Sequence, residues 1–360
     1  MTTSTSVTLA PAQLPVTAVG VDVGPMRQDL VHYGTRLLER GRLTEALAAF
    51  EAAASRPQAD PQVRRLLNQV HRRLVPRWHF AMLNDTGRNA AYRRALSTID
   101  LRGKTVLDVG SGSGLLAMMA ADLGAAQVYS CEAVEAIAGL ARRIVAVNRK
   151  AHIVEVIARQ SFDLVVGRDL HAPADVLVTE TIDCGLVGEG LLPIVRHARE
   201  HLLRESASIV PCKATLHAAL LESAEVHGNN FAFVADVYDV TLFNEFSTYD
   251  YFPVRLDTWN HRLLSEPVDL FRFDFETDPL DPETVEVDLE AGSTGTVHGV
   301  VMWFTVELVP GVSIANAPTG RASHWMQAVQ CFEHPMPVSA GQLVRLQATH
   351  ELTSVHVQIV

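Results

Sequence analysis

The sequence predicts an α/β protein in three parts: a helical segment over residues 1–75, an α/β domain with a parallel sheet over residues 76–210, and an antiparallel β domain over residues 211–360. Between residues 105 and 210, short apolar runs alternate with stretches of helical periodicity, as in a parallel sheet covered by helices. After Pro211 the apolar residues recur with a period of two, which is typical of antiparallel strands. A chain of 360 residues is long enough for two or three hydrophobic cores.

The first part has the pattern of a helical hairpin from Val31 to Ala53, with a break at Gly41. Leu37, Leu47 and Phe50 recur at helical spacing. The pattern resembles one tetratricopeptide repeat, but arrays of this kind need at least ~3 repeats to bury their faces. We therefore interpret it as a structural, tetratricopeptide-like hairpin that packs on the rest of the chain or on a second subunit.

Short apolar runs predict the strands of the two sheets. Parallel strands are expected at Thr105–Val109, Gln127–Cys131, Ile153–Ile157, Val176–Thr179 and Ser208–Val210. Antiparallel strands are expected at Val300–Val309, Trp325–Phe332, Leu343–Thr349 and Ser354–Val360, in a barrel or a sandwich. The acidic stretch from Asp274 to Glu290 is expected to be a solvated loop.

Charge and cysteine content exclude several classes of function. A formal net charge of -11 disfavours nucleic-acid binding, which relies on clustered Lys and Arg, and it suits a cationic substrate. The four cysteines lack metal-ligand spacing, so we expect neither a zinc site nor a disulfide scaffold. No apolar run approaches the roughly 20 residues of a membrane span, and no basic residue precedes Arg27, as a secretory signal would require. We therefore expect a cytoplasmic protein with no nucleic-acid or membrane partner.

A glycine-rich turn follows the first predicted strand. Asp108 lies next to the end of the strand, and Gly110, Gly112 and Gly114 allow the backbone to come close to a ligand. Glu132 ends the second strand, where a carboxylate can accept both hydroxyls of a ribose. Together these residues predict a site for an adenosine-type cofactor.

Two features favour S-adenosylmethionine over a nicotinamide dinucleotide: the G-x-G-x-G form of the turn after Asp108, and the segment from Trp78 to Arg88 that precedes the sheet. A predicted helix carries Met82 and Arg88 just before the sheet, so it could lie over the cofactor. The Arg88 guanidinium would fork onto the methionine carboxylate. The alternative is an ordinary amphipathic helix with Met82 in the core, since methionine is a common gap filler.

Two carboxylates follow the fourth predicted strand. Glu180 and Glu189 lie on the loop that leaves this strand, at the edge where open α/β sheets bind ligands. A guanidinium stays protonated, with a pKa above about 12, and has five donors in one plane, so two carboxylates suit it as a clamp. If no glycine-rich cofactor turn lay nearby, two such glutamates would be interpreted as part of a solvent-exposed surface.

From Trp78 to the C-terminus, ordered blocks of sequence resemble the protein arginine methyltransferase family. The blocks are Met82 to Arg88, the glycine-rich turn, Glu132, the loop with Glu180 and Glu189, and Ser323-His324-Trp325-Met326-Gln327. The resemblance implies an arginine N-methyltransferase that uses S-adenosylmethionine and releases S-adenosylhomocysteine. It also implies a seven-stranded Rossmann-like class I methyltransferase domain, a β-barrel domain and a homodimer.

The resemblance further implies a role for each site residue. Cofactor contacts would come from Met82, Arg88, Asp108, Gly110, Gly112, Gly114 and Glu132, with Arg88 on the carboxylate and Glu132 on the ribose. Catalysis would involve Glu180, Glu189, His324 and Asp85, with His324 paired to Asp85 across the site. The two glutamates, Trp325 and Asp183 would contact the substrate.

Some departures from the family pattern bear on the product and the dimer. Asp183, the Ser323-His324-Trp325 sequence and Leu191 are typical of the branch that stops after one methyl group, so we expect monomethylarginine. The family dimerises through a projecting segment, and Asn229–Phe252 is the candidate for this arm; a plain barrel hairpin is the alternative.

The sequence leaves the substrate open. One hypothesis is free L-arginine, as in small bacterial relatives that make N-omega-methyl-L-arginine for natural products such as streptozotocin. The alternative is arginine within a protein or peptide, with the helical hairpin helping to hold the partner. A third hypothesis, from another class, is a non-catalytic helical-repeat scaffold, which intact Glu180, Glu189, Arg88 and His324 disfavour.

Overall fold

The computed structural model describes residues 24–54, 60–319 and 323–360, and the chain divides into two compact units at Arg73 and Leu74. Helices of the first unit are α1 (Gly24–Glu39), α2 (Leu43–Ala54) and α3 (Pro61–Leu74). The predicted hairpin is confirmed, with its turn at Gly41, which has a φ of +73°. A Cβ on Gly34 would lie 2.6 Å from the Phe50 ring, so a small residue is needed where α1 meets α2.

The second unit begins with helices and a parallel sheet. Its elements are α4 (Trp78–Asn84), α5 (Thr86–Thr98), β1 (Thr105–Val109), α6 (Leu115–Asp122), β2 (Gln127–Glu132), α7 (Glu135–Val147), β3 (Val154–Ala158), β4 (Ala174–Thr179), α8 (Leu191–His201) and β5 (Leu203–Val210). The strands lie in the order β3-β2-β1-β4-β5, and all neighbours are parallel. The predicted parallel sheet is confirmed.

The resemblance implied seven strands for this sheet, and that expectation was wrong, because the sheet has five strands in the described part of the chain. After β5 the chain does not return to the same sheet. It crosses Pro211 and continues at Lys213 as an antiparallel strand of the next domain.

In the described residues the antiparallel domain contains two larger sheets and a two-stranded ribbon. Its elements are β6 (Lys213–Glu222), α9 (Ala224–Gly228), β7 (Val234–Ala235), β8 (Tyr238–Asp239), β9 (Phe252–Val254), β10 (Arg262–Leu263), β11 (Val268–Asp274), β12 (Glu283–Glu290), β13 (Gly295–Val309), β14 (Val312–Ala315), β15 (Gln327–Val338), β16 (Leu343–His350) and β17 (Val355–Ile359). One larger sheet has the order β10-β6-β13-β15-β9, with β11 also on β6 and β14 also on β13, the other has the order β12-β16-β17, and the ribbon pairs β7 with β8. The four predicted antiparallel strands correspond to β13, β15, β16 and β17.

The acidic stretch Asp274–Glu290 is not wholly a loop, as the sequence had suggested, since it contains β12. In this strand Val285, Val287 and Leu289 alternate with exposed acidic residues, and the strand pairs with β16 along its whole length. The charges lie on the solvent face. Because acidic residues are so frequent in this stretch, the alternation of apolar residues along the strand was not recognised in the sequence.

One apolar core runs through both domains of the second unit. It includes Val106 and Leu177 of the parallel sheet together with Leu216 and Phe304 of the antiparallel domain. The rings of Phe304 and Trp325 meet edge to face with centroids 5.3 Å apart. Because interiors are packed this closely, loops that leave the two sheets are held in a fixed relation. None of the described helices is long and apolar enough to cross a membrane.

Candidate active site

The glycine-rich turn leaves β1 and forms one wall of a cleft at the carboxyl edge of the parallel sheet. Gly110 and Gly112 have φ values of +83° and +51°, a region that favours glycine. The N–H groups of Gly110 and Ser111 donate to the carbonyl of Cys131, which ties the turn to the end of β2. A Cβ on Gly110 would lie 3.0 Å from the Thr181 methyl, so glycine also keeps this wall thin.

Glu132 stands at the end of β2 and faces the same cleft. Its Oε2 accepts from the Gly112 N–H at 3.0 Å and its Oε1 from the Val134 N–H at 3.0 Å. These bonds fix the carboxylate, and each oxygen keeps a further lone pair for hydroxyl donors.

Asp108 and Gly114 lie behind the cleft wall. Asp108 is 1% exposed, and it accepts from the Ser130 hydroxyl at 2.6 Å. Burial raises its pKa to about 6. Gly114 begins α6 with a φ of +77°, and a Cβ there would lie 3.1 Å from a Val145 methyl. Both residues therefore shape the turn from within.

Arg88 is buried at the start of α5, where Asp85 caps the helix by accepting from the Arg88 N–H at 2.9 Å. The Arg88 guanidinium forms a close ion pair with Glu180 and donates to Asn89 at 2.8 Å. Its Nε is buried and finds no hydrogen-bond partner among the described residues. The two residues assigned to the cofactor and to the substrate are thus in direct contact.

Glu180 and Glu189 both line the cleft that holds the glycine-rich turn. The Glu180 side chain is 6% exposed, whereas Glu189 is open to solvent at the mouth. Burial raises the pKa of Glu180 to about 7, although Arg88 acts in the opposite direction. Although Glu189 is exposed as a whole residue, the protein around its carboxyl group displaces part of the solvent and raises its pKa to about 7, and the negative charges of Glu180 and Asp183 add to this. The cleft therefore offers two closely coupled carboxyl groups.

His324 pairs with Asp85 beside Glu180. Its Nδ1 and its backbone N both lie 3.0 Å from Asp85 Oδ2, and its Nε2 lies 3.9 Å from Glu180 Oε1. Burial lowers the pKa of His324, although Asp85 opposes the shift. Burial acts to raise the pKa of Asp85, but hydrogen bonds from Arg88 and His324 hold it below its ordinary value. At neutral pH we therefore assign a proton to Nδ1 of His324 and leave Nε2 unprotonated.

Two further residues, Trp325 and Met82, lie near the cleft and the loop that carries Glu180 and Glu189. The Trp325 indole N–H donates to the Ile182 carbonyl at 2.8 Å, so the ring packs against the loop that carries the two glutamates. Met82 is half-buried and lines the cleft with Trp78 and His79, so it does not lie in the core.

Asp183 does not face the cleft. One of its oxygens accepts from the Tyr251 hydroxyl at 2.8 Å and the other from the Gly188 N–H at 2.9 Å. Both oxygens of the carboxylate are therefore engaged within the protein.

Sequence reasoning missed three residues that contact the loop carrying Glu180 and Glu189 or the loop carrying His324 and Trp325: Asn316, Tyr251 and Arg255. The buried Asn316 amide donates to the carbonyls of Cys184 and Met326, which belong to the two loops. These partners are backbone atoms far apart in the chain, so no spacing or motif could have revealed them.

Comparisons with known proteins agree with this geometry. The family model described as arginine methyltransferase oligomerization subdomain matches residues 212–357, and that of ribosomal protein L11 methyltransferase (PrmA) matches residues 92–191. The arginine N(omega)-methyltransferase of Streptomyces achromogenes subsp. streptozoticus is 46% identical over 279 residues, which are 78% of this chain and 77% of that protein. Protein arginine N-methyltransferase 7 of Oryza sativa subsp. indica is 33% identical over 317 residues, but these span only 44% of its length.

Solved structures share the fold. The Trypanosoma brucei PRMT1 enzyme-prozyme complex with AdoHcy has a TM-score of 0.67 at 24% identity and covers 78% of this chain and 93% of that one. Arabidopsis thaliana protein arginine methyltransferase 10 has a TM-score of 0.62 at 22% identity and covers 78% and 95% of the two chains. With the 46% identity to the Streptomyces enzyme, the chain belongs to the arginine methyltransferase family of S-adenosylmethionine-dependent enzymes.

Proposed function

We propose that this enzyme methylates the guanidino group of free L-arginine and releases N-omega-methyl-L-arginine. The observation that carries the proposal is the position of Glu180 and Glu189, which line the same cleft as the glycine-rich turn and Glu132. The name of the Streptomyces relative, arginine N(omega)-methyltransferase, supports the free amino acid as substrate.

The residues of the cleft fit S-adenosylmethionine. Glu132 has spare acceptor capacity for ribose hydroxyls, and the buried Arg88 Nε is a donor available to a carboxylate. The glycines at 110 and 112 leave room for the ligand at the backbone. When bound, the cofactor supplies a methyl group on a positively charged sulfur.

In the proposed reaction Glu180 and Glu189 bind the substrate guanidinium and orient one of its nitrogens. Their negative charge draws the positive charge of the guanidinium toward the other nitrogens, so the oriented nitrogen regains a lone pair. Methyl transfer to this nitrogen would form one N–C bond at the expense of the S–C bond of the cofactor, with S-adenosylhomocysteine as the leaving group, and the methylated guanidinium would lose one proton. A carboxylate with a pKa near 7 is a suitable acceptor for that proton. His324 Nε2 lies 3.9 Å from Glu180 Oε1, so onward transfer to His324 requires these two groups to close to hydrogen-bond distance or to share a bridging water.

We propose one methyl transfer per substrate, on the sequence features Ser323 and Leu191. We also propose that Trp325, whose ring is fixed by its bond to Ile182, forms a wall of the arginine pocket. We do not propose substrate binding by Asp183, because this residue does not line the cleft and its carboxylate is hydrogen-bonded to Tyr251 and Gly188.

Arginine within a protein or peptide is the second candidate substrate. The name of the rice relative, protein arginine N-methyltransferase 7, favours it. The helical hairpin at the N-terminus, if it acts as a tetratricopeptide-like module, could then contribute to partner binding. A purely non-catalytic scaffold is disfavoured by the contacts among Arg88, Glu180, His324 and Asp85.

We further propose a cytoplasmic homodimer that acts in antibiotic biosynthesis. Four free cysteines fit a reducing compartment, and the match to an oligomerization subdomain supports self-association. The arm, residues Asn229–Phe252, is our candidate contact. We also propose the domain boundaries at residues 76 and 211, with a closed β-barrel in the last domain.

The test is an assay with S-adenosylmethionine carrying a labelled methyl group. Purified protein receives free L-arginine in one reaction and an arginine-rich peptide in another, and mass spectrometry identifies the products. We expect one labelled methyl group in free arginine. Label in the peptide alone would assign the enzyme to protein substrates, and label in neither would refute arginine as the acceptor.

A further inference from the structure

A short segment at the end of the arm contacts both loops of the candidate active site. It runs from Tyr251 to Arg255, contains β9, and is called the brace below. The double-glutamate loop, residues Glu180–Glu189, lies against its first residue, and the His-Trp loop, residues Ser323–Gln327, lies against its last.

Tyr251 is seated on the backbone of the double-glutamate loop. Its hydroxyl donates to Asp183 at 2.8 Å, and Asp183 in turn accepts from the Gly188 N–H at 2.9 Å. A Cβ on Gly185 would lie 2.6 Å from Tyr251 Cε2, and one on Gly188 would lie 2.7 Å from the hydroxyl oxygen. The two glycines therefore form a cradle that a larger residue would fill. Glu189 follows Gly188 directly, so the position of its backbone depends on this contact.

Arg255 holds the other loop. Its Nη1 donates to the Ser323 carbonyl at 2.8 Å and its Nη2 to the His324 carbonyl at 2.9 Å. Between Tyr251 and Arg255, β9 pairs with β15, with Val254 opposite Gln327. The forked guanidinium and the strand pairing together fix the backbone from which His324 reaches Asp85.

The brace also continues directly from the base of the arm. The Asn230 side chain donates to the Thr248 carbonyl at 2.8 Å and accepts from the Thr248 N–H at 3.0 Å. This pair of bonds closes the arm close in sequence to Tyr251. Movement of the closed base would therefore reach Tyr251 through the short stretch of chain after Thr248, and the double-glutamate loop through the hydrogen bond from Tyr251 to Asp183.

We propose that the brace is a positioning element that sets the separation of the double-glutamate loop and the His-Trp loop, with Asp183 serving as the acceptor for Tyr251. The proposal rests on the proposed function of Glu180, Glu189 and His324. Tyr251, Arg255 and Asp183 act through these residues and need not touch the substrate. The burial that raises the pKa of Asp183, and the Tyr251 bond that opposes the rise, agree with a structural acceptor.

Tyr251→Phe tests the proposal with little change in shape. We expect kcat/KM for arginine to fall about 10- to 100-fold, mostly in kcat, because a displacement of about 1 Å at a reacting group has an effect of this size. The dissociation constant for S-adenosylmethionine should stay within about twofold, since Glu132 and Arg88 do not contact the brace. Tyr33→Phe, at an exposed tyrosine of α1, is the matched control and should behave as wild type.

Substitutions at Asp183 separate positioning from substrate binding. An asparagine side chain at this position can accept from the Gly188 N–H and donate to the Tyr251 oxygen, so Asp183→Asn should restore most of the turnover lost in Asp183→Ala. If the negative charge of Asp183 bound the substrate, Asp183→Asn would instead raise KM for arginine as much as Asp183→Ala does. That result would overturn the positioning role.

Amide hydrogen exchange measures how firmly the brace holds the double-glutamate loop, and it does not depend on enzymatic activity. In Tyr251→Phe, amides of residues 181–190 should exchange faster than in wild type and in Tyr33→Phe, while the β1 amides stay protected. If the wild-type protein fails to methylate arginine but Tyr251→Phe still shows faster exchange at residues 181–190, the proposed function is wrong and the positioning role of the brace is supported. Unchanged exchange together with full activity in Tyr251→Phe would refute the brace.

Discussion

At the level of single residues, the ion pair between Arg88 and Glu180 links the two halves of the site. Both side chains are buried, and each is assigned to a different ligand. An arginine of the enzyme therefore pairs with one carboxylate of the clamp that we propose for the arginine substrate. A cofactor carboxylate that engages Arg88 would weaken its hold on Glu180, so cofactor and substrate binding should be coupled through this pair.

This contact predicts different outcomes for the two glutamates. Glu189→Gln should lower turnover by at least about 100-fold and leave cofactor affinity near that of wild type, because Glu189 has no contact with Arg88. Glu180→Gln should lower turnover and also change cofactor affinity, since it removes the charge that holds Arg88. Titration calorimetry with S-adenosylmethionine and steady-state kinetics would measure both effects. Full activity in either variant would contradict the clamp.

The raised pKa values of the same carboxyl groups predict the pH dependence of the reaction. Burial raises the pKa of Glu180 and of Glu189 to about 7 in the free enzyme. Below that pH each group is protonated and neutral, so the clamp loses its attraction for a cation. We expect kcat/KM for arginine to rise by up to roughly 100-fold per pH unit below pH 7 if both groups must be ionised, or roughly tenfold if one must be, and to level off above pH 7, because kcat/KM reports groups of the free enzyme. A flat profile through pH 7 would show that neither carboxylate needs to be ionised.

At the level of elements, the strands were predictable and the contacts between loops were not. β1, β2, β3 and β4 begin and end within two residues of their predicted bounds because a buried parallel strand is a mostly apolar run. The glycine-rich turn was visible because only glycine adopts positive φ without strain. By contrast, β12 was missed because its charges lie on the solvent face.

The candidate site was predictable only in part, for the same reason. Arg88, Glu132 and Glu180 lie at ends of regular elements, where chain order and sheet topology bring them together. The pairing of His324 with Asp85 spans 239 residues, and family resemblance alone suggested it. Tyr251 and Asn316 had no such signal, since an aromatic or an amide side chain in a β-rich segment most often serves packing.

At the level of the whole molecule, one apolar core extends through both domains of the second unit, whereas the arm leaves large apolar side chains exposed to solvent. In the arm Leu242, Phe243 and Phe246 are 82%, 68% and 81% exposed. Three large apolar side chains exposed so close together are typical of a surface that binds another protein. The arm lies within the residues that match an oligomerization subdomain, which favours a second copy of this chain as the partner.

Substitutions in the arm should therefore separate the subunits. Burial of a leucine or phenylalanine contributes about 1.5–3 kcal/mol, so Leu242→Ser with Phe246→Ser should weaken self-association by at least about 100-fold. Light scattering after size-exclusion chromatography should give the mass of two chains for wild type and of one chain for the double variant. Leu343→Ser, at an exposed leucine outside the arm, is the control and should keep the wild-type mass. Because the brace joins the arm to the double-glutamate loop, the monomeric variant should also lose turnover while it still binds S-adenosylmethionine. A wild-type monomer with full activity would refute both the homodimer and this route of coupling.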